Sequence, residues 1–206
     1  LNQELVYDSI LFCSAIEQEI LGIDSRIKNK VALGVGNMEA IINLFLFLQN
    51  HSEIKEIVFI GSAGTYDTSL CSVFSIVRGK DYHYRELSTW KGESNSPKLM
   101  GTYVAEQENF IEDTIFTNWK LEKFSVNSPH SITLLSLSEL PLWENAPTLE
   151  NMEVFGIAKL AKTLGLGFSS ILGITNEVGV NGSQDWLKNY KLVSKKLIDE
   201  LNKTLF

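Results

Sequence analysis

The stretch from Leu149 to Gly179 constrains the fold more than any other part of the chain. Phe155, Ala158 and Ala161, with Ile157, Leu160 and Leu164 on the flanking row, recur at helical spacing and make one apolar face, and Gly165 supplies the C-terminal stop. Phe168 to Ile174 then reads as a buried strand. A helix running straight into a buried strand is a unit of an α/β sheet. Its polar residues stand at the two ends, a carboxylate pair (Glu150 and Glu153) opening the helix and Asn176 closing the strand. In open α/β sheets those ends are the ligand address, the crevice beyond the carboxyl ends of the strands.

Strand-like and helix-like runs alternate along the rest of the chain. Ser9 to Ala15, Val31 to Val35, Ile57 to Ile60, Cys71 to Val77 and Ile132 to Leu137 read as strands, with Gly61-Ser62-Ala63-Gly64 as the tight exit of the third. Met38 to Leu48 is a helix apolar on nearly every side, expected to pack against the sheet or a second subunit. Thr102 to Asp113 reads as a helix or its approach, and Ser183 to Leu201, with Trp186, Tyr190, Val193, Leu197 and Leu201 at helical spacing, as the closing helix. Arg78 to Met100 and Ser138 to Asn145 are irregular. A chain of 206 residues, 44% of them hydrophobic, suffices for one well-buried domain. The expectation is α/β: a single domain over residues 1–206 with a mixed or mainly parallel central sheet flanked by helices.

Composition removes several classes of partner. A net charge of −7 without a basic run argues against nucleic acid and leaves a small molecule as the expected ligand. The most apolar run, Ala40 to Leu48, is about half of the roughly 20 residues needed to span a bilayer, and with no secretory n-region the reading is a cytoplasmic protein with no membrane partner. Cys13 and Cys71 lack disulfide or zinc spacing, and His51, His83 and His130 are equally isolated, so neither metal nor cofactor is expected. Gly34-Val35-Gly36 lacks the third glycine of a dinucleotide fingerprint.

Read alone, each polar candidate has two explanations. Glu17 and Glu19 lie at the carboxyl end of the first strand, an active-site address, yet carboxylates there also suit a helix N-terminus. Glu153 is likewise either a first-turn helix carboxylate or an acceptor for two vicinal hydroxyls. Ser62, Ala63 and Gly64 form either a ligand-binding nest or an empty turn. Asn176 is a polar group at the ligand crevice or only a turn residue ending a strand.

Five segments in the right order tip that balance: Ala15 to Glu19, Gly34 to Asn37, Gly61 to Gly64, Met152-Glu153 and Asn176. Together they resemble the purine nucleoside phosphorylase and nucleosidase superfamily, and within it the futalosine hydrolases and the methylthioadenosine/S-adenosylhomocysteine nucleosidases. The resemblance implies a nucleoside phosphorylase-like three-layer sandwich and a homodimer. It also implies N-glycosidic hydrolysis of a purine nucleoside, with Glu19 as general base toward water, Glu153 holding the ribose and Met152 against the sugar face. Ser62, Ala63 and Gly64 would line the site, with Leu140 and Trp143 as loose candidates for the base platform. The phosphorylases' Gly-Asp-Pro phosphate loop is replaced here by Ala15-Ile16-Glu17, and a negative Glu19 repels phosphate, so water is the expected nucleophile. The adenine-specific enzymes carry an aspartate where this chain has Asn176. A carboxamide cannot protonate a leaving base, but it can donate to a 6-oxo group and accept from N7–H, the arrangement expected for hypoxanthine, the base of futalosine, or guanine; turned over, it can equally accept from an adenine 6-amino group. Futalosine is therefore the expected substrate, an adenine-releasing nucleosidase and a non-catalytic nucleoside-binding relative being the alternatives.

Overall fold

The computed structural model describes residues 7–95, 103–104, 119–140 and 146–206. Its elements are β1 (Ile10–Ser14), α1 (Glu17–Ile20), β2 (Lys30–Ala32), α2 (Asn37–Leu48), β3 (Glu56–Thr65), β4 (Ile76–His83), α3 (Leu87–Trp90) and β5 (Tyr103–Val104). There follow β6 (Lys123–Asn127), a 3₁₀ turn (Leu137–Glu139), β7 (Leu149–Glu150), α4 (Val154–Thr163), β8 (Gly167–Glu177) and α5 (Gly182–Leu205).

Period-two alternation sets the layers. Along β1 and β3, Leu11, Cys13, Ile57 and Phe59 face a core shared with Ala40 and Leu44 of α2 and with Val154, Ile157, Ala158 and Ala161 of α4. Their neighbours Ile10, Phe12, Val58 and Ile60 face the other side, where Leu197, Ile198 and Leu201 of α5 cover them. Helices thus sandwich β1, β3 and β8, which run parallel to one another.

Beyond that sandwich the sheet is mixed, within the expected range, but it is also partly closed and not a mainly parallel open sandwich. β4 is antiparallel to β8 and β5, and β7 is antiparallel to β3, while β6 pairs parallel with both β4 and β7. The sequence of pairings β3, β7, β6, β4, β8 therefore returns to β3 as a ring. Closure follows from the two longest strands, β3 and β8, each of which pairs with a further strand within the span of their shared ladder, β3 with β7 and β8 with β4.

Several expected elements shift. Gly61 to Gly64 is no exit turn but the continuation of β3, paired with β8 through Gly61–Leu172, Ser62–Gly173 and Ala63–Ile174. Its glycines answer to crowding, since a Cβ at Gly61 would sit 2.6 Å from Cε1 of Phe59, and one at Gly64 would sit 2.9 Å from Cγ2 of Val178. The strand expected over Cys71 to Val77 begins only at Ile76, because Phe74, at φ 71°, turns the chain just before it. Ile132 to Leu137 forms no ladder, and the Thr133 N–H donates instead to the Glu150 carboxylate at 3.0 Å. α2 buries only Asn37, Ala40 and Leu44, leaving Met38, Ile42, Phe45 and Leu46 exposed. Apart from the backbone of Tyr103–Val104, the helix expected over Thr102 to Asp113 lies outside the described residues, as does Trp143. Among the described residues no helix is long and apolar enough to cross a membrane.

Candidate active site

A cleft of about 400 Å³ opens where β1, β3 and β8 end. Ala15, Ile16 and Glu19 form one wall, Ser62, Ala63 and Gly64 the floor, Asn151, Met152 and Glu153 a second wall, and Asn176 and Trp186 close it. Its size suits a nucleoside-sized ligand.

Parallel strands deliver the first carboxylate. β1 and β3 run in register from Ile10–Glu56 to Cys13–Phe59, so β1 exits beside the later half of β3. The chain turns through a Glu19 N–H to Ile16 carbonyl bond, and the short α1 places Glu19 over Ser62. Oε1 of Glu19 accepts from the Ser62 amide at 2.9 Å and the Ser62 hydroxyl at 2.7 Å. Oε2 is buried and makes no hydrogen bond within the described residues. Glu19 is only 3% exposed, and burial raises its carboxyl above the ordinary range despite the Ser62 bonds.

The second carboxylate comes from the start of α4. The amides there lack intrahelical acceptors, and polar side chains from other elements fill that need. Oδ1 of Asn151 accepts from the Glu153 and Val154 amides at 2.9 and 3.0 Å, the Ser128 hydroxyl accepts from Phe155 at 3.1 Å, and Oδ1 of Asn37 accepts from Gly156 at 2.7 Å. Asn151 also donates to the Ser62 carbonyl at 3.0 Å, which ties the helix start to the cleft floor. Thus fixed, Glu153 accepts from the Gly36 amide at 2.8 Å. Gly34 and Gly36, at φ 93° and 88°, give the loop the left-handed turns that present this amide. Burial pushes the Glu153 carboxyl up to about 7; the Gly36 bond opposes the rise and the Glu19 charge adds to it.

Asn176 stands at the far end of β8, its Nδ2 donating to the Glu177 carbonyl at 2.9 Å and its Oδ1 accepting from the Thr175 hydroxyl at 2.8 Å. One amide hydrogen and one oxygen lone pair remain for a ligand. Gly64 and Gly182 leave room for the carboxamide, since a Cβ at either would lie 3.0 or 3.1 Å from Nδ2.

The structure thus brings Glu19, Ser62, Ala63, Gly64, Met152, Glu153 and Asn176 to one cleft. Leu140 is not among its lining residues; it packs behind Val178 against Tyr66 and Trp90. Glu150, Asn151 and Trp186 are among the further lining residues, to which the sequence reading assigned no role at the site. Glu150 is a buried carboxylate that accepts from the Tyr66 hydroxyl and the Thr133 amide, and burial raises its carboxyl above the ordinary range. It follows Leu149 at the head of the most constraining stretch, and that position is the signal that could have found it. Among the described residues no cluster of His, Cys, Asp or Glu could hold a metal ion.

The fold is the one found in futalosine hydrolases and methylthioadenosine/S-adenosylhomocysteine nucleosidases. No protein-family model matches the sequence, and no curated protein is similar to it. Among solved structures, the native futalosine hydrolase of Helicobacter pylori superposes with a TM-score of 0.75 at 10% identity, over 95% of this chain and 96% of that one. The Neisseria meningitidis methylthioadenosine/S-adenosylhomocysteine nucleosidase in complex with methylthio-immucillin-A gives 0.75 at 14%, over 95% and 97%. The corresponding Colwellia psychrerythraea nucleosidase in complex with adenine gives 0.70 at 16%, over 95% of each chain.

Proposed function

We propose that the protein hydrolyses the N-glycosidic bond of a purine nucleoside, with a 6-oxopurine nucleoside as substrate and futalosine as the most specific candidate. The observation that carries this reading is the convergence of two buried carboxylates, Glu19 and Glu153, with the Asn176 carboxamide on one cleft of nucleoside size. Cleavage of such a bond passes through a sugar with oxocarbenium character, so water must be activated, the ribose held and the base helped to leave. Glu19 takes a proton from water through its unpartnered oxygen as the water oxygen bonds to the anomeric carbon. Glu153 accepts from the ribose hydroxyls, and its charge favours the cationic sugar. The bond to the purine breaks with its electron pair going to the base, which takes a proton at N7 from solvent water; Oδ1 of Asn176 accepts from that N7–H while Nδ2 donates to the 6-oxo group. Ser62 to Gly64 and Met152 shape the wall against the sugar.

An adenine-releasing nucleosidase is the second reading. It is favoured by the likeness to nucleosidases solved with adenine or with an immucillin-A, and by a carboxamide able to serve 6-amino bases when turned over. Incubation with inosine, futalosine, methylthioadenosine and adenosine, with and without phosphate, separates the two by the base released. Hypoxanthine supports the first and adenine the second; no base from any of the four sinks both.

The same reading extends to a cytoplasmic homodimer. Met38, Ile42, Phe45 and Leu46 form an exposed apolar stripe on α2 next to exposed Val35, and both cysteines are free and buried, as suits a reducing compartment. A monomeric mass by light scattering at micromolar concentration would contradict the dimer.

A further inference from the structure

We propose that Trp186 is a positioning residue for Glu19, its indole N–H setting the direction of the Ser62 hydroxyl so that the closing helix α5 aims the carboxylate carried by α1. This rests on the reading of Glu19 as the base that activates water. The indole Nε1 lies 2.9 Å from Oγ of Ser62, and that oxygen lies 2.7 Å from Oε1 of Glu19. A hydroxyl can point its single hydrogen either way, whereas an indole N–H only donates. With Trp186 donating to Oγ, the Ser62 hydrogen is directed to Glu19, where the Ser62 amide also donates to the same oxygen at 2.9 Å. Oε1 is thereby held by two donors, and Oε2, buried and without a partner among the described residues, is left for the water.

The indole is itself braced. It stacks on Tyr190, one helical turn on, with ring centroids 4.5 Å apart and planes 12° apart. Gly182 lets α5 begin close against the end of β8, since a Cβ there would meet Nδ2 of Asn176 at 3.1 Å and the Glu177 carbonyl oxygen at 3.2 Å. That close start brings the second turn of the helix over Ser62. In the sequence Trp186 is one more member of the apolar row of α5; in the structure it lines the cleft.

The electrostatic consequence has a definite sign. A hydroxyl locked as donor favours ionised Glu19. Released from Trp186, the hydroxyl can rotate and accept from the protonated carboxyl, so the proton is held more tightly and the base is lost at a higher pH. Trp186→Phe keeps an aromatic ring at a half-buried position and removes only the donor, so folding is preserved. The Glu19 titration is read in the free protein by carboxyl carbon NMR, assigned with Glu19→Gln, alongside the acid limb of kcat/KM for whichever nucleoside is cleaved. Both should move up by about 0.5–1 pH unit in Trp186→Phe, the worth of one hydrogen bond. Ser62→Ala should move them in the same direction, and adding Trp186→Phe to Ser62→Ala should move them no further. An unchanged Glu19 titration in Trp186→Phe, or an equal further shift in the Ser62→Ala background, overturns the proposal. If the wild-type protein cleaves no nucleoside, the functional reading fails by itself, and the Glu19 titration still decides whether Trp186 sets the hydroxyl.

Discussion

Replacing Glu153 by Gln should stabilise the folded protein at neutral and alkaline pH while it removes activity. Burial moves this carboxyl from an ordinary 4.5 up to about 7, so across that window the folded chain holds a proton that the unfolded chain has released. Below pH 4.5 the group's contribution to stability is fully present; as pH rises through about 7 the carboxylate ionises in dry surroundings and the contribution is lost. The span from 4.5 to about 7 corresponds to about 3 kcal/mol. A glutamine never ionises, and its carbonyl oxygen can keep the 2.8 Å bond from the Gly36 amide. Its new NH₂ needs a partner in the cleft, which costs about 1 kcal/mol. The net gain at pH 8 is then about 2 kcal/mol, or roughly 4–8 °C in Tm for a chain of this size; it shrinks as pH falls and turns into a net cost of about 1 kcal/mol toward pH 4.5, where only the unpartnered NH₂ counts. Thermal unfolding of both proteins, followed by circular dichroism from pH 4 to 9, measures it. A Tm difference that stays constant across that range would refute the reasoning.

Three further perturbations probe other parts of the account. Because ionised Glu153 offers acceptors to both ribose hydroxyls whereas its protonated form turns one oxygen into a donor, the Kd of a non-hydrolysable purine nucleoside analogue should fall by up to about tenfold between pH 6 and pH 8; calorimetric titration giving a pH-independent Kd would contradict that contact. Gly156→Ala drives a Cβ to within 2.8 Å of both Oδ1 of Asn37 and Cδ1 of Ile41, and should cost about 1–3 kcal/mol in urea unfolding; an unshifted midpoint would show that α2 yields freely. Asn176→Asp should move preference from inosine-type toward adenosine-type substrates, since a carboxylate repels a 6-oxo group and attracts a 6-amino group; an unchanged ratio of specificity constants would remove Asn176 from base reading.

The elements readable in the sequence were those whose apolar pattern matches their burial, a stripe along one face in the helices and an unbroken run in the strands buried on both faces. α4, α5, β1 and β8 are of this kind, and their boundaries differ from expectation only at the ends. The ring was not readable. β4 carries Arg78, Lys80 and Asp81 among its apolar residues because it pairs at different points with β5, β6 and β8, and no period of two survives such changes of neighbour. β6 and β7 are short, and the length of β3 beyond Ile60 is hidden because glycines serve both turns and crowded strands. In the cleft, Glu19, Glu153 and Asn176 stood out as polar residues at the ends of apolar elements, a local signal. Asn151 and Trp186 act across elements, on Ser62 and the start of α4, and such contacts leave no trace in spacing. Leu140 shows the converse: an apolar residue in an irregular stretch is equally suited to a ligand platform and to the small cluster with Tyr66, Trp90 and Val178 where it packs.

The proposed reaction is cleavage of a purine nucleoside in this cleft by water that Glu19 activates. Its most direct measurement is the rate of free base release by the wild-type protein and by Glu19→Gln, each with and without phosphate, beside the Kd of a nucleoside analogue for both. The expected result is release indifferent to phosphate with the sugar freed unphosphorylated at its anomeric carbon, and a loss of about 10²–10⁴-fold in Glu19→Gln at nearly unchanged Kd. Phosphate-dependent release yielding a ribose phosphate, or a Glu19→Gln protein as fast as the wild type, would contradict it.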